Sequence, residues 1–272
     1  MTYGWAILII ALSLVVLYSL GIMNPKNFVP RAPPGSCFVF RPNGPGTTDF
    51  VSLQGTCGYL PMYVASFNGV DGYVDIPSLN YLSSFPITVG LWLKMNSPNP
   101  SRDQTPSGQY SQLYLDNPQN TYVLRAAARD TNSAFRILVI TNNWQVDYKN
   151  NFIHIVLILK QTNLSVYVNG VYKGYVNATS VYTFTLPNKW SIGRAYPTYF
   201  TNCSIANIQI YNTALTPQEI QYLYQQGLGG GPVRLQNLVA WWPLNGDAKD
   251  YSGNNNHGTI YNVAFVQNYN PP

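Results

Sequence analysis

The sequence is short of charge. Asp, Glu, Lys and Arg make up 9% of its 272 residues, against about 25% in an ordinary soluble domain. Hydrophobic residues make up 46%, which is too many for a disordered polyelectrolyte. The net charge of +5 comes from 15 Lys and Arg against 10 acids, and the basic residues are scattered rather than clustered. This distribution argues against nucleic acid as a partner.

Groups for acid–base and metal chemistry are equally scarce. Glu219 is the only glutamate, and no Asp-x-Asp or Glu-x-Asp pair lies on a predicted strand, although glycoside hydrolysis usually needs two facing carboxylates. The two histidines and three cysteines include no Cys-x-x-Cys pair, which argues against a zinc site. Motifs of serine hydrolases, zinc proteases and phosphate-binding loops are absent from the sequence. We therefore expect no enzymatic activity.

The amino terminus has no charge before Lys26, and residues 5–23 form an apolar run of nineteen. As a helix this run would be about 28 Å long, which suits the core of a bilayer. Lys26 and Arg31 follow it, and the positive-inside rule would place the rest of the chain in the cytoplasm. Three glycosylation triplets, beginning at Asn163, Asn177 and Asn202, point to the outside instead. A short basic leader before Met1, removed or left out, would reconcile these patterns.

Residues 1–25, with MTYGWAILII at the start and LGIMNP at the end, resemble the amino-terminal helix of archaeal type IV pilins. In that family a basic leader is cut by a prepilin peptidase, and the helix then packs with its copies in a filament core. This sequence departs from the pattern because it has neither the leader nor the family's glutamate. The resemblance implies a membrane-inserted precursor and an extracellular helical homopolymer of identical subunits. The residues expected to pack in the filament core are Gly4, Trp5, Ala6, Ile9, Ala11, Ser13, Leu17 and Gly21.

Residues 26–62 are expected to form a linker and a cysteine loop. Four prolines within residues 25–35 predict an extended spacer. Apolar segments after Cys37 and before Cys57, separated by a turn-rich stretch, predict a two-stranded ribbon closed by a Cys37–Cys57 disulfide. Two free thiols are the alternative. Cys203, the third cysteine, is expected to be a buried free thiol.

Residues 63–228 predict an all-β sandwich, because short strands alternate with turn signals about every 8–12 residues. Asn169 and Gly170 between two apolar runs predict a hairpin with a type I′ turn. Thr216, Pro217 and Glu219 predict the start of a helix with a capping box, which gives Glu219 a structural role.

Residues 65–77, 87–94, 166–171 and 205–215 resemble, in this order, strands of laminin-G-like or concanavalin A-like jelly rolls. LVAWWPLNG at 238–246 and DYSGNNNHGTI at 250–260 resemble the family's first strands, which normally come earlier. We therefore expect residues 229–272 to complete the sandwich. They would do so by folding back as a circular permutation or by donation to a neighbouring subunit. The predicted fold is a mainly β jelly-roll sandwich with a long hydrophobic amino-terminal helix.

Two ligands follow from this second resemblance. The oxygen-rich loop at 247–256 suits Ca²⁺, with Asp250 as a weak candidate ligand, because Asn207 stands where the family commonly has an acid. A turn that satisfies its own backbone is the alternative. Surface tyrosines such as Tyr110, Tyr196 and Tyr199 are candidates for stacking on sugars. The chain is predicted to be a pilin-like subunit that displays a jelly roll for surface contact or adhesion. The alternative is a single-pass, membrane-anchored lectin or adhesin.

Overall fold

The computed structural model describes residues 36–42, 48–54, 63–77, 79, 85–96, 113–116, 123–129, 135–148, 151–178, 180, 189–195 and 199–267. The helix predicted for residues 1–25 lies outside these ranges, as does Cys57. Within them, no helix combines the length and the apolarity needed to cross a bilayer.

The described residues are mainly in strands. These are β1 Ser36–Pro42, β2 Thr48–Gln54, β3 Tyr63–Asn68, β4 Tyr73–Pro77, β5 Ile87–Met95, β6 Leu113–Asp116, β7 Leu124–Arg129, β8 Phe135–Thr141, β9 Ile153–Leu159, β10 Asn163–Val168, β11 Val171–Asn177, β12 Lys189–Ile192, β13 Arg194–Ala195, β14 Tyr199–Phe200, β15 Asn202–Tyr211, β16 Leu238–Trp242, β17 Thr259–Tyr261 and β18 Ala264–Gln267. The helices are α1 Trp144–Asp147 and α2 Pro217–Gln225, and a 3-10 turn covers Leu235–Asn237.

The strands form two layers. The larger sheet has the order β11-β10-β9-β5-β15-β3-β18. Strand β16 pairs with residues 208–211 of β15, whereas β3 pairs with residues 202–205 of the same strand. Two three-stranded sheets, β12-β4-β17 and β6-β7-β8, form the second layer. Leu93 and Ile205 from the larger sheet share the main apolar core with Val74 and Leu124 from the smaller sheets. The predicted mainly β sandwich is confirmed.

Helix α2 covers the outer face of the larger sheet. Its Ile220 and Leu223 are buried against Val156, Tyr211 and Trp241. As a result, strands β5, β9 and β15 are buried on both faces almost throughout. Helix α2 and the carboxy-terminal segment cover the face of these strands that is turned away from the main core.

Two local signals in the sequence are confirmed. The Thr216 side chain caps α2 by accepting from the Glu219 backbone N–H, and the Glu219 carboxylate accepts from the Thr216 backbone N–H at 2.8 Å. Asn169 and Gly170 have φ angles of 51° and 76° in the turn between β10 and β11. Both positive values fit the expected type I′ turn.

The β1–β2 ribbon is present, and Cys37 lies opposite Leu53 in it. The proposed bridge to Cys57 stays a prediction, because Cys57 lies outside the described residues. Cys203 of β15 is a free thiol with 0% exposure, as expected. Burial raises the pKa of this thiol well above its ordinary value.

The last three strands join three different strands of the same chain. Strand β16 pairs with β15, β17 with β4, and β18 with β3. Residues 238–267 thus fold back onto the sandwich that precedes them. Donation of these strands to a neighbouring subunit stays a prediction.

A buried polar cluster, which we call the linker latch, holds the chain between α2 and β16. It consists of Asn207, Gln209 and Tyr211 of β15 together with Gly230 and Trp241. The Asn207 Oδ1 accepts from Trp241 Nε1 at 2.8 Å and from Gln209 Nε2 at 2.9 Å. Its Nδ2 donates to the Gly230 carbonyl at 2.7 Å. Tyr211 Oη donates to Gln209 Oε1 at 2.6 Å, and burial raises the pKa of Tyr211, so this donor keeps its proton.

Candidate functional site

The outward face of the small sheet β12-β4-β17 brings aromatic and charged side chains together. Successive residues of a strand point to opposite faces, so Val74 of β4 enters the core while Tyr73 and Asp75 face outward. Strand β17 places Tyr261 opposite Tyr73. Strand β12 places Ser191 opposite Asp75.

Planar groups are stacked on this face. The Tyr73 and Tyr261 rings lie 4.5 Å apart between centroids with an interplanar angle of 14°. The Arg194 guanidinium carbon lies 3.5 Å from the Tyr73 centroid, within the range of a cation–π contact. The Phe200 ring packs 6.1 Å from Tyr73. We call these four residues the aromatic platform. Tyr261 is 42% exposed, so ring surface remains open to a ligand.

Arg194 of the platform also forms a partly buried ion pair with Asp75. Arg194 Nη2 donates to Asp75 Oδ1 at 2.8 Å, and Ser191 Oγ donates to the same oxygen at 3.0 Å. The Arg194 and Asp75 side chains are 14% and 19% exposed. Within the described part of the chain, Arg194 Nε and the buried Thr201 Oγ1 have no hydrogen-bond partner. Buried polar atoms of this kind are normally satisfied by water or by a ligand.

A second polar group borders the platform at the beginning of β4. Asp71 Oδ2 accepts from Asn262 Nδ2 at 2.9 Å, and Asp71 Oδ1 accepts from Asn68 Nδ2 at 2.8 Å. Exposed aromatic surface flanked by fixed polar groups is suited to a ligand with one apolar face and several hydroxyl groups.

None of the tyrosines named from the sequence belongs to the aromatic platform. Tyr199 belongs to β14, next to Phe200 of the platform, whereas Tyr110 and Tyr196 lie outside the described residues. Tyr73 and Tyr261 were missed because they are far apart in the chain and meet only through the pairing of β4 with β17.

Asp250, the calcium candidate, is buried at 5% exposure. Its Oδ1 accepts from the backbone N–H groups of Trp241 and Ser252, each at 2.9 Å. Its Oδ2 accepts from the Ser252 hydroxyl and from the backbone and side-chain nitrogens of Asn256, also at 2.9 Å. A carboxylate offers about four lone-pair sites, so these donors fill it. Across the described ranges, no cluster of three or more His, Cys, Asp or Glu side chains could hold a metal ion. Calcium at Asp250 stays a prediction, and it would compete with these bonds.

Glu219 is also occupied by structural bonds. Besides the capping box, its carboxylate accepts from the Arg234 guanidinium. Burial raises the pKa of Glu219, but hydrogen bonds from Arg234 and Thr216 outweigh it and lower the pKa below the ordinary value. The group is therefore an ionised cap.

Of the remaining predicted site residues, the structure describes the three glycosylation asparagines. Asn163 and Asn177 face each other on β10 and β11, and Asn202 begins β15. The predicted filament-core residues, Gly4 to Gly21, fall outside the described residues.

Known proteins share this architecture. A family profile described as the concanavalin A-like lectin/glucanases superfamily, laminin-G type, matches residues 68–221. A suggested carbohydrate-binding protein from Bacteroides ovatus is 15% identical, with a TM-score of 0.57 over 81% of this chain and 67% of that chain. A native heptameric SAP-like pentraxin from Limulus polyphemus is 12% identical, with a TM-score of 0.54 over 76% of this chain and 95% of that chain.

The binding domain of botulinum neurotoxin serotype D is 16% identical, with a TM-score of 0.48. The alignment covers 71% of this chain and 47% of that domain, so this chain spans about half of the domain's length. None of the curated proteins compared with this chain matches it in sequence. At these identities the solved structures show a shared fold only. The family match covers more than half of the chain, and the chain belongs to the concanavalin A-like lectin/glucanase superfamily.

Proposed function

We propose that the sandwich is a carbohydrate-binding, adhesive domain that holds a saccharide on the aromatic platform. The observation that carries this proposal is the exposed Tyr261, whose ring stacks on Tyr73, while Tyr73 in turn contacts the guanidinium of the Arg194–Asp75 pair. A sugar ring has one apolar C–H face and a rim of hydroxyl groups. The tyrosine ring suits the face, and the fixed charged groups suit the hydroxyls. The likeness in fold to a suggested carbohydrate-binding protein supports this class of ligand.

Binding without catalysis is part of the proposal. The carboxylates near the platform are engaged: Asp75 by Arg194 and Ser191, and Asp71 by Asn68 and Asn262. Glycoside hydrolysis uses two carboxyl groups that face each other across the scissile bond. Asp75 is already bound by the Arg194 guanidinium and the Ser191 hydroxyl, so it is poorly placed to serve as one of that pair.

Replacing Tyr261 by alanine is expected to weaken binding of the sugars found on a glycan array by about tenfold. The loss reflects the missing stacking surface, so the Y261F variant should bind as well as the parent chain. Tyr222 on α2 is a matched control, because it is also 42% exposed. The measurement is titration calorimetry with each array hit. An array without hits, or equal losses for Y261A and Y222A, would contradict the proposal.

We further propose that the domain is displayed on an extracellular filament as a pilin-like subunit. The support is the uncharged stretch before Lys26 and its resemblance to type IV pilin helices. In this proposal the helix spans the membrane before assembly and packs against identical subunits afterwards. The alternative use of the same helix is a single-pass anchor for a membrane lectin.

Replacing Ala11 by aspartate is expected to abolish filaments, since a charge would be buried among packed helices. Ala6→Asp should do the same, whereas Ala11→Ser should assemble normally because it stays small. Electron microscopy of purified material gives the readout. Detergent-soluble particles from the parent chain would favour the anchored lectin, and filaments formed by A11D would show that the core assignment is wrong.

A further inference from the structure

The asparagines of two acceptor triplets for N-glycosylation meet on one outward face of the larger sheet. Asn163 begins β10, Asn177 ends β11, and the two residues lie directly opposite each other. Asn163 Nδ2 donates to Asn177 Oδ1 at 3.0 Å. The two asparagines therefore form one surface site, although they are separate in the sequence.

The hydrogen bonds make the two asparagines unequal. Asn163 uses both ends of its amide, because its Oδ1 also accepts from the Ser165 hydroxyl at 2.7 Å. Asn177 contributes only its oxygen to the pair, and in the described part of the chain its Nδ2 makes no hydrogen bond. Asn177 is exposed, whereas Asn163 is half-buried. Since glycans are attached through Nδ2, the geometry favours Asn177 as the acceptor.

An aromatic residue lies beside Asn177 on its own strand. Tyr175 is two residues earlier on β11, on the same face, and is 56% exposed. Tyr175 pairs with Ser165, so it is also a diagonal cross-strand neighbour of Asn163. A sugar attached to Asn177 could therefore rest its C–H face on Tyr175.

The third triplet lies in a different environment. Asn202 begins the central strand β15, where Cys203 is 0% exposed and Ser204 is 3% exposed. The hydroxyl that completes this triplet is thus inside the sheet, between β3 and β5. A transferase could reach it only if the central strand were released from its neighbours.

We propose that Asn177 is the N-glycosylation site of the folded sandwich, with Asn163 orienting its amide and Tyr175 supporting the first sugar. In the transfer, the Asn177 Nδ2 bonds to C1 of a sugar that is activated as a diphosphate. The bond from C1 to the diphosphate oxygen breaks, the diphosphate leaves, and the amide loses one proton. The activated sugar and the transferase come from outside the chain. The proposal depends on β10 and β11 alone and is independent of the platform.

The test uses the full chain, purified and folded from a host without N-glycosylation. It is treated with a soluble N-glycosyltransferase and UDP-glucose, and occupancy of each asparagine is followed by peptide mass spectrometry. We expect Asn177 to react at least about tenfold faster than Asn163 or Asn202, equivalent to about 1.4 kcal/mol in barrier. N177Q should remove nearly all modification. Y175A should slow it about three- to tenfold, whereas Y175F should not.

Synthetic peptides that span the three triplets are the control for the intrinsic preference of the enzyme. The preference for Asn177 in the folded chain should exceed the preference among the peptides. Reaction at Asn163 or Asn202 as fast as at Asn177 would overturn the proposal. So would a folded chain that stays unmodified while the peptide containing Asn177 reacts.

Discussion

Replacing Asp250 by alanine is expected to lower the free energy of unfolding by about 3–5 kcal/mol. The carboxylate is buried and accepts five hydrogen bonds, among them the backbone N–H groups of Trp241 and Asn256. Without it, these donors stay buried with no acceptor and no access to water. Such a loss is a large part of the about 5–15 kcal/mol that stabilises a typical protein. Urea unfolding followed by tryptophan fluorescence gives the measurement.

Asp247 in the same loop is the matched control for Asp250. It accepts only from the Lys249 backbone and the Tyr251 hydroxyl and is half-buried, so D247A should cost about 1 kcal/mol. D250N keeps the shape of the side chain and one acceptor oxygen, so its loss of unfolding free energy should lie between those of D250A and D247A. We expect millimolar Ca²⁺ to leave the Tm of the parent chain unchanged. If Ca²⁺ raised the Tm of the parent chain and D250N abolished this rise, Asp250 would be a cation ligand instead of a purely structural hydrogen-bond acceptor.

Replacing Asn207 by alanine is expected to cost about 3–4 kcal/mol of unfolding free energy. The Trp241 indole N–H and the Gly230 carbonyl would both lose their buried partner in the linker latch. The backbone adds to the loss, because Asn207 has a φ of 50° and alanine tolerates that conformation less well than asparagine. The indole bond also ties β16 to β15, so its loss should loosen the attachment of the carboxy-terminal strands.

A variant at Asn255 separates the cost of the backbone conformation from the cost of the lost hydrogen bonds. It has a φ of 59° but is exposed, so N255A should show only the backbone cost of about 1 kcal/mol. Hydrogen exchange measured by mass spectrometry should show faster exchange at 229–242 in N207A than in N255A. Equal losses of stability in the two variants would mean that the hydrogen bonds of the linker latch contribute little.

Local signals in the sequence predicted the body of the sandwich well. The Asn169-Gly170 turn and the Thr216–Glu219 capping box depend on residues within a few positions of one another. For that reason, both could be read without knowledge of the fold. The order of the strand motifs was equally informative, because it predicted that the carboxy-terminal segment belongs to the sandwich, and β16–β18 do pair with it.

The candidate site could not be predicted in this way. Tyr73 and Tyr261 are brought together by a strand pairing that the sequence does not specify, and Arg194 contacts Tyr73 from a third strand. In the sequence, Asn207 drew attention only because the family commonly has an acid there. In the structure, its amide joins β15 to the linker at Gly230 and to β16 at Trp241. Such roles arise from contacts between distant residues and leave no periodic pattern.

The pairing of the last strand with the first strand of the sandwich has a consequence for biosynthesis. Gln267 of β18 pairs with Tyr63 of β3, so the sheet cannot close until residue 267 has left the ribosome. At about 5–20 residues per second, strands β3 and β4 remain without their partners β18 and β17 for many seconds after they are made. Unpaired edges of that kind also accept strands from other molecules. Closure within one nascent chain therefore competes with exchange between chains made on the same messenger RNA.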